Sequence, residues 1–267
     1  MTDEGSTSLR RAIAILTALA SPAGTSPSGA GVSKIARLVG REKSQVSRTL
    51  RTLAGAGLVD RDEETLGYRL GWQLFALAAR AGDQHLLATA APVLRHLVTL
   101  LNERVHLTVR QADAVLTVLS ENPSKTIQAA GWVGRTTPLH CTSSGRALLF
   151  DHSDDDVRGL LCGVDFASDG PNAPRDIEDF LSRLHQARRH GFALADEEFE
   201  PGLVAAAAPV RDFRGRTVAA LNVSAPKFRL GCGLLAAGHQ VKLAAEHLSG
   251  VQAFPDHTIG IDARSIS

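Results

Sequence analysis

The sequence predicts an α+β protein in two parts: a winged helix-turn-helix, then an antiparallel sheet with helices packed on it. Three observations carry this. Residues 32–70 read as two short helices joined by a turn and followed by a hairpin. Basic residues concentrate in that same stretch. Residues 104–226 contain runs with the two-residue alternation of strands, interrupted by helical periodicity.

Taken in order, "RRAIAILTALASPAG" (10–24) has a basic pair, an apolar run and small residues, as a signal peptide does. It also reads as an amphipathic helix over 9–20, with Leu9, Ile13, Leu16 and Ala20 at three- and four-residue steps. Residues 32–70 decide for the helix, because a helix-turn-helix needs one in front of it. Ser33 can cap a helix carrying Ile35, Ala36 and Val39, and Gly40 can close it. A second helix starts near Lys43 and buries Val46, Leu50 and Leu53. Leu58 and Val59, a polar turn, then Tyr68 and Leu70 make the hairpin.

Between residues 31 and 57 stand six basic residues and a single acid, Glu42, in a chain whose net charge is +1. Such a local excess suits phosphate neutralisation. Lys43, Ser44, Gln45, Ser47, Arg48 and Arg51 point away from the buried stripe. Gln45 and Arg48 are able to form paired hydrogen bonds to base edges in the major groove. A solvated helix face would carry similar residues, but the helix spacing and the wing together favour contact with double-stranded DNA.

Residues 72–81 and 84–101 read as connecting helices, with Pro92 able to kink or restart the second. The first carries Leu74, Leu77 and Ala78, the second Leu94, Leu97, Val98 and Leu101. Faces this apolar suit self-association or packing within a domain. In the strand at 104–110, Val105, Leu107 and Val109 share one face, and His106, Thr108 and Arg110 the other. Residues 114–120 are its partner. Helices follow near 143–152, 154–161 and 174–190. Strands at 203–210 and 217–226 place Asn222 and Ser224 on one face with Val218 and Ala220. A last helix covers about 234–249. The expected boundaries are 1–71, a linker helix at 72–82, a second domain at 83–250 and a mobile tail at 251–267.

Chemistry is scarce. Three cysteines at wide spacing form no CxxC, which leaves reduced thiols and no zinc knuckle. No apolar run is long enough to span a bilayer, so a cytoplasmic protein without metal or cofactor is expected. "PLHCTSSGRALL" (138–149) brings His140 beside Cys141, Ser143 and Ser144. In an extended segment adjacent side chains diverge, so His140 and Cys141 make no dyad, and the serines lack a GxSxG setting. A catalytic residue is not expected. The same letters read better as a helix start, with Thr142 as N-cap and the amides of Ser143 and Ser144 open to an anion.

"TPLHCTSSGRALLF" resembles the signature P-x-H-x-T-x-x-G-[KR]-A-x-L of IclR-type regulators, and "GFALADEEFEPGLVAAAAPVRD" (191–212) resembles their second signature. "VSKIARLVG" and "KSQVSRTLRTLAGAGLV" are similar to their N-terminal domain. The resemblance covers about residues 8–250. It implies an operator-binding winged helix, a linker helix and a GAF-like domain that senses a small, often carboxylic, metabolite, assembled as a homodimer or dimer of dimers. It places effector oxygens at the amides of Ser143 and Ser144, and polar pocket side chains at positions 195, 205, 222 and 224. Here Ala195 stands where Asp is usual and Ala205 where Cys is usual, with Asn222 and Ser224 completing the set. Two alanines leave room, so the expected effector is an organic acid with a sizeable apolar body. Regulation would follow from a shift between two dimer arrangements that the acid binds unequally.

Overall fold

The computed structural model describes residues 3–78, 83–123, 132–166 and 170–253, apart from positions 22 and 27. Two compact units divide the chain, residues 1–84 and 85–267.

In the first unit, α1 (Asp3–Ala20), α2 (Val32–Val39) and α3 (Lys43–Gly55) precede a hairpin of β1 (Val59–Arg61) and β2 (Tyr68–Leu70), and α4 (Trp72–Ala78) comes after it. Gly40 ends α2 with φ of 62°, a left-handed conformation that a side chain would penalise. Val46, Leu50 and Leu53 of α3 are buried as their spacing predicts, against Ile15, Leu19, Ile35 and Tyr68.

Three local features differ from expectation. The cap of α2 is Gly31 rather than Ser33, because Ala30 bridges to Tyr68 and the chain enters the helix directly from that bridge. The buried face of α1 is Ala12, Ile15, Leu16 and Leu19, while Leu9 and Ile13 are exposed. Of the stripe counted from Leu9, Leu16 alone packs on the core, and Leu9, Ile13 and Ala20 do not. On α4, Leu77 is exposed and Trp72 and Phe75 more so, so its apolar stripe does not face this unit's core.

In the second unit, α5 (Gln84–Leu101) runs unbroken through Pro92. Then come β3 (Arg104–Gln111), β4 (Ala114–Glu121), β5 (Thr136–Pro138), α6 (Ser143–Leu148), α7 (Asp154–Leu160) and α8 (Ile177–His190). The chain continues through β6 (Ala193–Asp196), β7 (Leu203–Arg211), β8 (Thr217–Pro226), α9 (Lys227–Leu230), a 3-10 turn and α10 (Leu234–Ala253). The six strands form one antiparallel sheet in the order β5-β4-β3-β8-β7-β6.

The alternation of β3 decides how the layers pack. Val105 and Leu107 point to α5 and α10, where Leu94, Leu97, Val241 and Leu248 close one core. The opposite face carries α6, α7 and α8, whose Leu148, Val157, Phe180 and Leu184 close a second core over Ala193, Ala207 and Ala220. Val218 does not share a face with Ala220 and Asn222: it packs in the first core. A register shift between Val210 and Arg211, whose partners are Ala219 and Thr217, breaks the alternation there. β5, β6 and α9 are additional elements of three or four residues. α10 runs to Ala253, past the helix end expected at about 249 and into the tail expected at 251–267; the rest of that tail, the end of the first connecting helix at 79–82 and residues 124–131 lie outside the described residues.

Candidate functional site

Two surfaces hold the residues that the sequence singles out. The first is α3. With about 100° of rotation per residue, Ser44, Arg48 and Arg51 lie opposite the buried stripe, and Lys43 and Ser47 lie toward one flank. Lys43, Ser44, Arg48 and Arg51 are exposed, whereas Gln45 and Ser47 are half-buried. Gln45 and Arg48 share a shallow depression with Ser8 and Arg11 of α1. Arg11 is a cation that the charge count over 31–57 missed, since helix packing and not sequence proximity brings it there.

The second is a cavity on the α6 side of the sheet, to which all six strands contribute. Thr142, Ser143, Ser144, Ala195, Ala205, Asn222 and Ser224 line one and the same space. Thr142 has extended dihedrals and is the N-cap of α6; its hydroxyl accepts from Gly145 N–H at 3.1 Å and donates to the Pro138 carbonyl at 2.8 Å. The amides of Ser143 and Ser144 open the first turn, where an α-helix supplies no acceptor. Asn222 is already engaged: its Nδ2 donates to Ser143 Oγ at 2.9 Å. It braces α6 against β8 and is less available to a ligand than a bare strand position suggests.

Trp132, Phe199, Leu203, Val115 and His106 complete the walls. Sequence reasoning assigned none of the five to a ligand cavity, because they come from distant strands and loops that only the finished sheet gathers. Only His106 carried a signal, as a polar residue in an apolar strand. The ring is buried and its pKa is pushed down to about 3, first by burial and second by the Arg104 charge. It is therefore neutral near pH 7. The unfolded chain takes up a proton below its ordinary value of 6.5, so His106's contribution to stability is present above that value and is lost as pH falls below it. The cavity volume is about 60 Å³.

His140 and Cys141 lie in a turn rather than in an extended strand, and both are buried. They still face apart: Cys141 lines the cavity, while His140 meets the Phe166 ring edge-on at 5.1 Å. Among the described residues no group of three or more His, Cys, Asp or Glu side chains could hold a metal ion. No described helix is long and apolar enough to cross a membrane.

The anchor of α6 is Arg146, one turn into the helix and 1% exposed. Its guanidinium reaches both oxygens of Glu198, at 2.5 and 3.0 Å, and donates to the Leu194 carbonyl. Arg183 approaches the same carboxylate at 3.2 Å. This buried network ties α6 to the strand carrying Ala195, so two cavity walls are positioned by one ion pair.

A winged helix-turn-helix joined to a sheet with a walled small-molecule cavity has the build of a ligand-responsive transcriptional regulator. Residues 8–63 match the IclR helix-turn-helix domain, and residues 78–249 match the bacterial transcriptional regulator IclR C-terminal domain. The chain belongs to the IclR family of transcriptional regulators. It is 31% identical over 200 residues to the HTH-type transcriptional regulator KdgR of Escherichia coli, covering 74% of this chain and 76% of that one. It is likewise 31% identical over 214 residues to the regulator BhcR of Paracoccus denitrificans, covering 79% and 76%. Among solved structures, IclR of Thermotoga maritima shares the fold with a TM-score of 0.74 at 21% identity, over 93% of this chain and all of that one. An IclR homologue from Microbacterium hydrocarbonoxydans, solved with 4-hydroxybenzoate, aligns with a TM-score of 0.74 at 22% identity, over 91% of this chain and 99% of that one.

Proposed function

We propose that this regulator binds a double-stranded operator through α3 and releases or tightens its grip when a carboxylic acid with an apolar body enters the sheet cavity. The observation that carries this reading is the convergence of seven small or polar positions, drawn from α6 and three strands, on one cavity also walled by Trp132, Phe199 and Leu203. In this assignment residues 1–71 contact DNA, 72–82 link and 83–250 sense. The amides of Ser143 and Ser144 take the carboxylate. Alanine at 195 and 205 leaves the body of the acid against carbon, at roughly 25 cal/mol per Å² of apolar surface buried. Occupancy is coupled to DNA affinity when the acid favours one arrangement of the chain over another.

Leu9 and Ile13 of α1 and Trp72, Phe75 and Leu77 of α4 are large exposed apolar side chains within the first unit. They suit a homodimer, or a dimer of dimers, presenting two half-sites. The chain is taken as a cytoplasmic binding protein without catalytic turnover.

Calorimetry and thermal shift with small oxo acids against aromatic and branched acids test the effector class. The larger acids should bind more tightly, carboxylates better than their amides, and the same ligands should alter a gel shift. Tighter binding of the small acids, or of the amides, overturns it. On the DNA side, Arg48→Ala should weaken the specific site by about 1–3 kcal/mol and relax its sequence preference, whereas Lys43→Ala should weaken all sequences alike. Titration of operator and scrambled duplexes at one salt concentration separates the two. An Arg48 variant unchanged on both would remove α3 from the interface.

A further inference from the structure

We propose that His106 is a second polar anchor of this cavity, and that it takes a neutral hydroxyl or carbonyl of the effector while the carboxylate lies at α6. The inference rests on the effector reading above and adds a specificity-determining residue to it.

Several polar side chains around the cavity are committed. Asn222 Nδ2 is given to Ser143, Thr142 to the turn before α6, and Thr108 Oγ1 donates to the Ala220 carbonyl at 3.1 Å. His106 differs. It is 4% exposed, its ring lines the cavity, and nothing among the described residues hydrogen-bonds its Nδ1. Of the buried side-chain atoms in that condition, it is the one that belongs to this cavity. A buried ring nitrogen without a partner is costly and rare, and at a ligand cavity the ligand is the natural partner.

The other nitrogen shows what chemistry fits. His106 Nε2 lies 3.3 Å from Ser224 Oγ, a hydroxyl that can rotate to donate or accept. When Ser224 donates, Nδ1 carries the proton and offers a donor. When Ser224 accepts, Nδ1 offers a lone pair. Either state suits a hydroxyl, and the first suits a carbonyl. A second carboxylate, which can only accept, is served by the first state alone. The ionisable side chains around it are cations: Arg104 on its own strand, and Arg135, which with Arg104 flanks the Trp132 ring that tilts against His106 at 5.5 Å. The nearby acids are engaged elsewhere, Glu103 with Arg229 and Glu121 with Arg95. The register places His106 directly opposite Asn222, which holds Ser143. The anchor therefore lies on the strand next to the one whose Asn222 holds Ser143, and a ligand meeting both the α6 amides and His106 carries two separate polar groups.

The experiment is calorimetry on the full chain with benzoate, 3-hydroxybenzoate and 4-hydroxybenzoate, on the wild type and on His106→Asn and His106→Gln. An asparagine amide falls near the place of Nδ1, and a glutamine amide near that of Nε2. In the wild type, one hydroxybenzoate should bind at least about tenfold more tightly than benzoate, with affinity flat from roughly pH 6.5 to 8. His106→Asn should keep that preference and His106→Gln should lose it, the ratio of hydroxybenzoate to benzoate affinity being read within each protein. Equal binding of benzoate and both hydroxybenzoates by the wild type overturns the anchor alone. So does a preference that survives in His106→Gln, or an affinity that rises about tenfold as pH falls through that range. Failure of every benzoate to bind overturns the effector class itself, and the anchor with it.

Discussion

Arg146→Ala is expected to cost about 3–5 kcal/mol of folding stability, the range for stranding one member of a buried ion pair. The reason is geometric. Glu198 is 5% exposed and receives both Arg146 nitrogens, while the Leu194 carbonyl receives a third N–H bond. Removing the guanidinium leaves a carboxylate and a carbonyl in a region that water scarcely reaches. Arg183, at 3.2 Å, can compensate part of the charge, so the lower end of the range is the better expectation. Arg146→Lys should not restore stability, because a point charge cannot reproduce the two-pronged contact. Adding Glu198→Ala to Arg146→Ala should recover part of the loss by removing the stranded charge. Denaturant midpoints of the four proteins measure all of this. If Arg146→Ala lost less than about 1 kcal/mol, the network would be incidental to the fold.

Gly145→Ala should be nearly as damaging, at about 3 kcal/mol, and should weaken carboxylate binding at least about tenfold. The φ of Gly145 is not in the left-handed region, so backbone strain is not the reason. A methyl group at Gly145 would lie 2.0 Å from the Leu139 carbonyl oxygen and 2.6 Å from that residue's carbonyl carbon and Cα. These are backbone atoms, which cannot swing aside as a side chain would. α6 must lift away from the turn that precedes it, carrying the Ser143 and Ser144 amides out of register with the rest of the cavity. A variant with unchanged melting temperature and ligand affinity would show that α6 is not seated against Leu139.

These two residues also show where sequence reading stops. The α3 stripe and strands β3, β4, β7 and β8 were legible because each repeats its period several times, and the hairpin because a polar turn separates two short apolar pairs. Positions 195 and 205 came through the family resemblance alone, 142–144 also through the helix start and 222 and 224 also through strand alternation, and all of them line one space. β5, β6 and α9 are too short to show a period. The buried face of α1 was misjudged because apolar residues occur all round that helix, with Leu9, Ile13, Ile15, Leu16 and Leu19 all available. Arg146 could have been suspected: an arginine followed by Ala147, Leu148, Leu149 and Phe150 must either escape to water or find a buried acid. Which acid it finds is a long-range fact, 52 residues away at Glu198, and no local pattern reports it.

The strand order has a consequence for how the protein is made. β3 and β8 are neighbours at the centre of the sheet, and the His106–Ser224 contact spans 118 residues. The first unit is closed by much shorter loops, with Thr65 reaching Ser28 across 37. Nearby contacts form early and distant ones late. On the ribosome, the DNA-binding unit is complete once residue 84 has emerged, while the cavity must wait for β8, which ends at Pro226. At about 5–20 residues per second that interval is roughly seven to thirty seconds. During it, each nascent chain presents a finished α3 without a finished sensor, and an unpaired β3 edge waits for its partner.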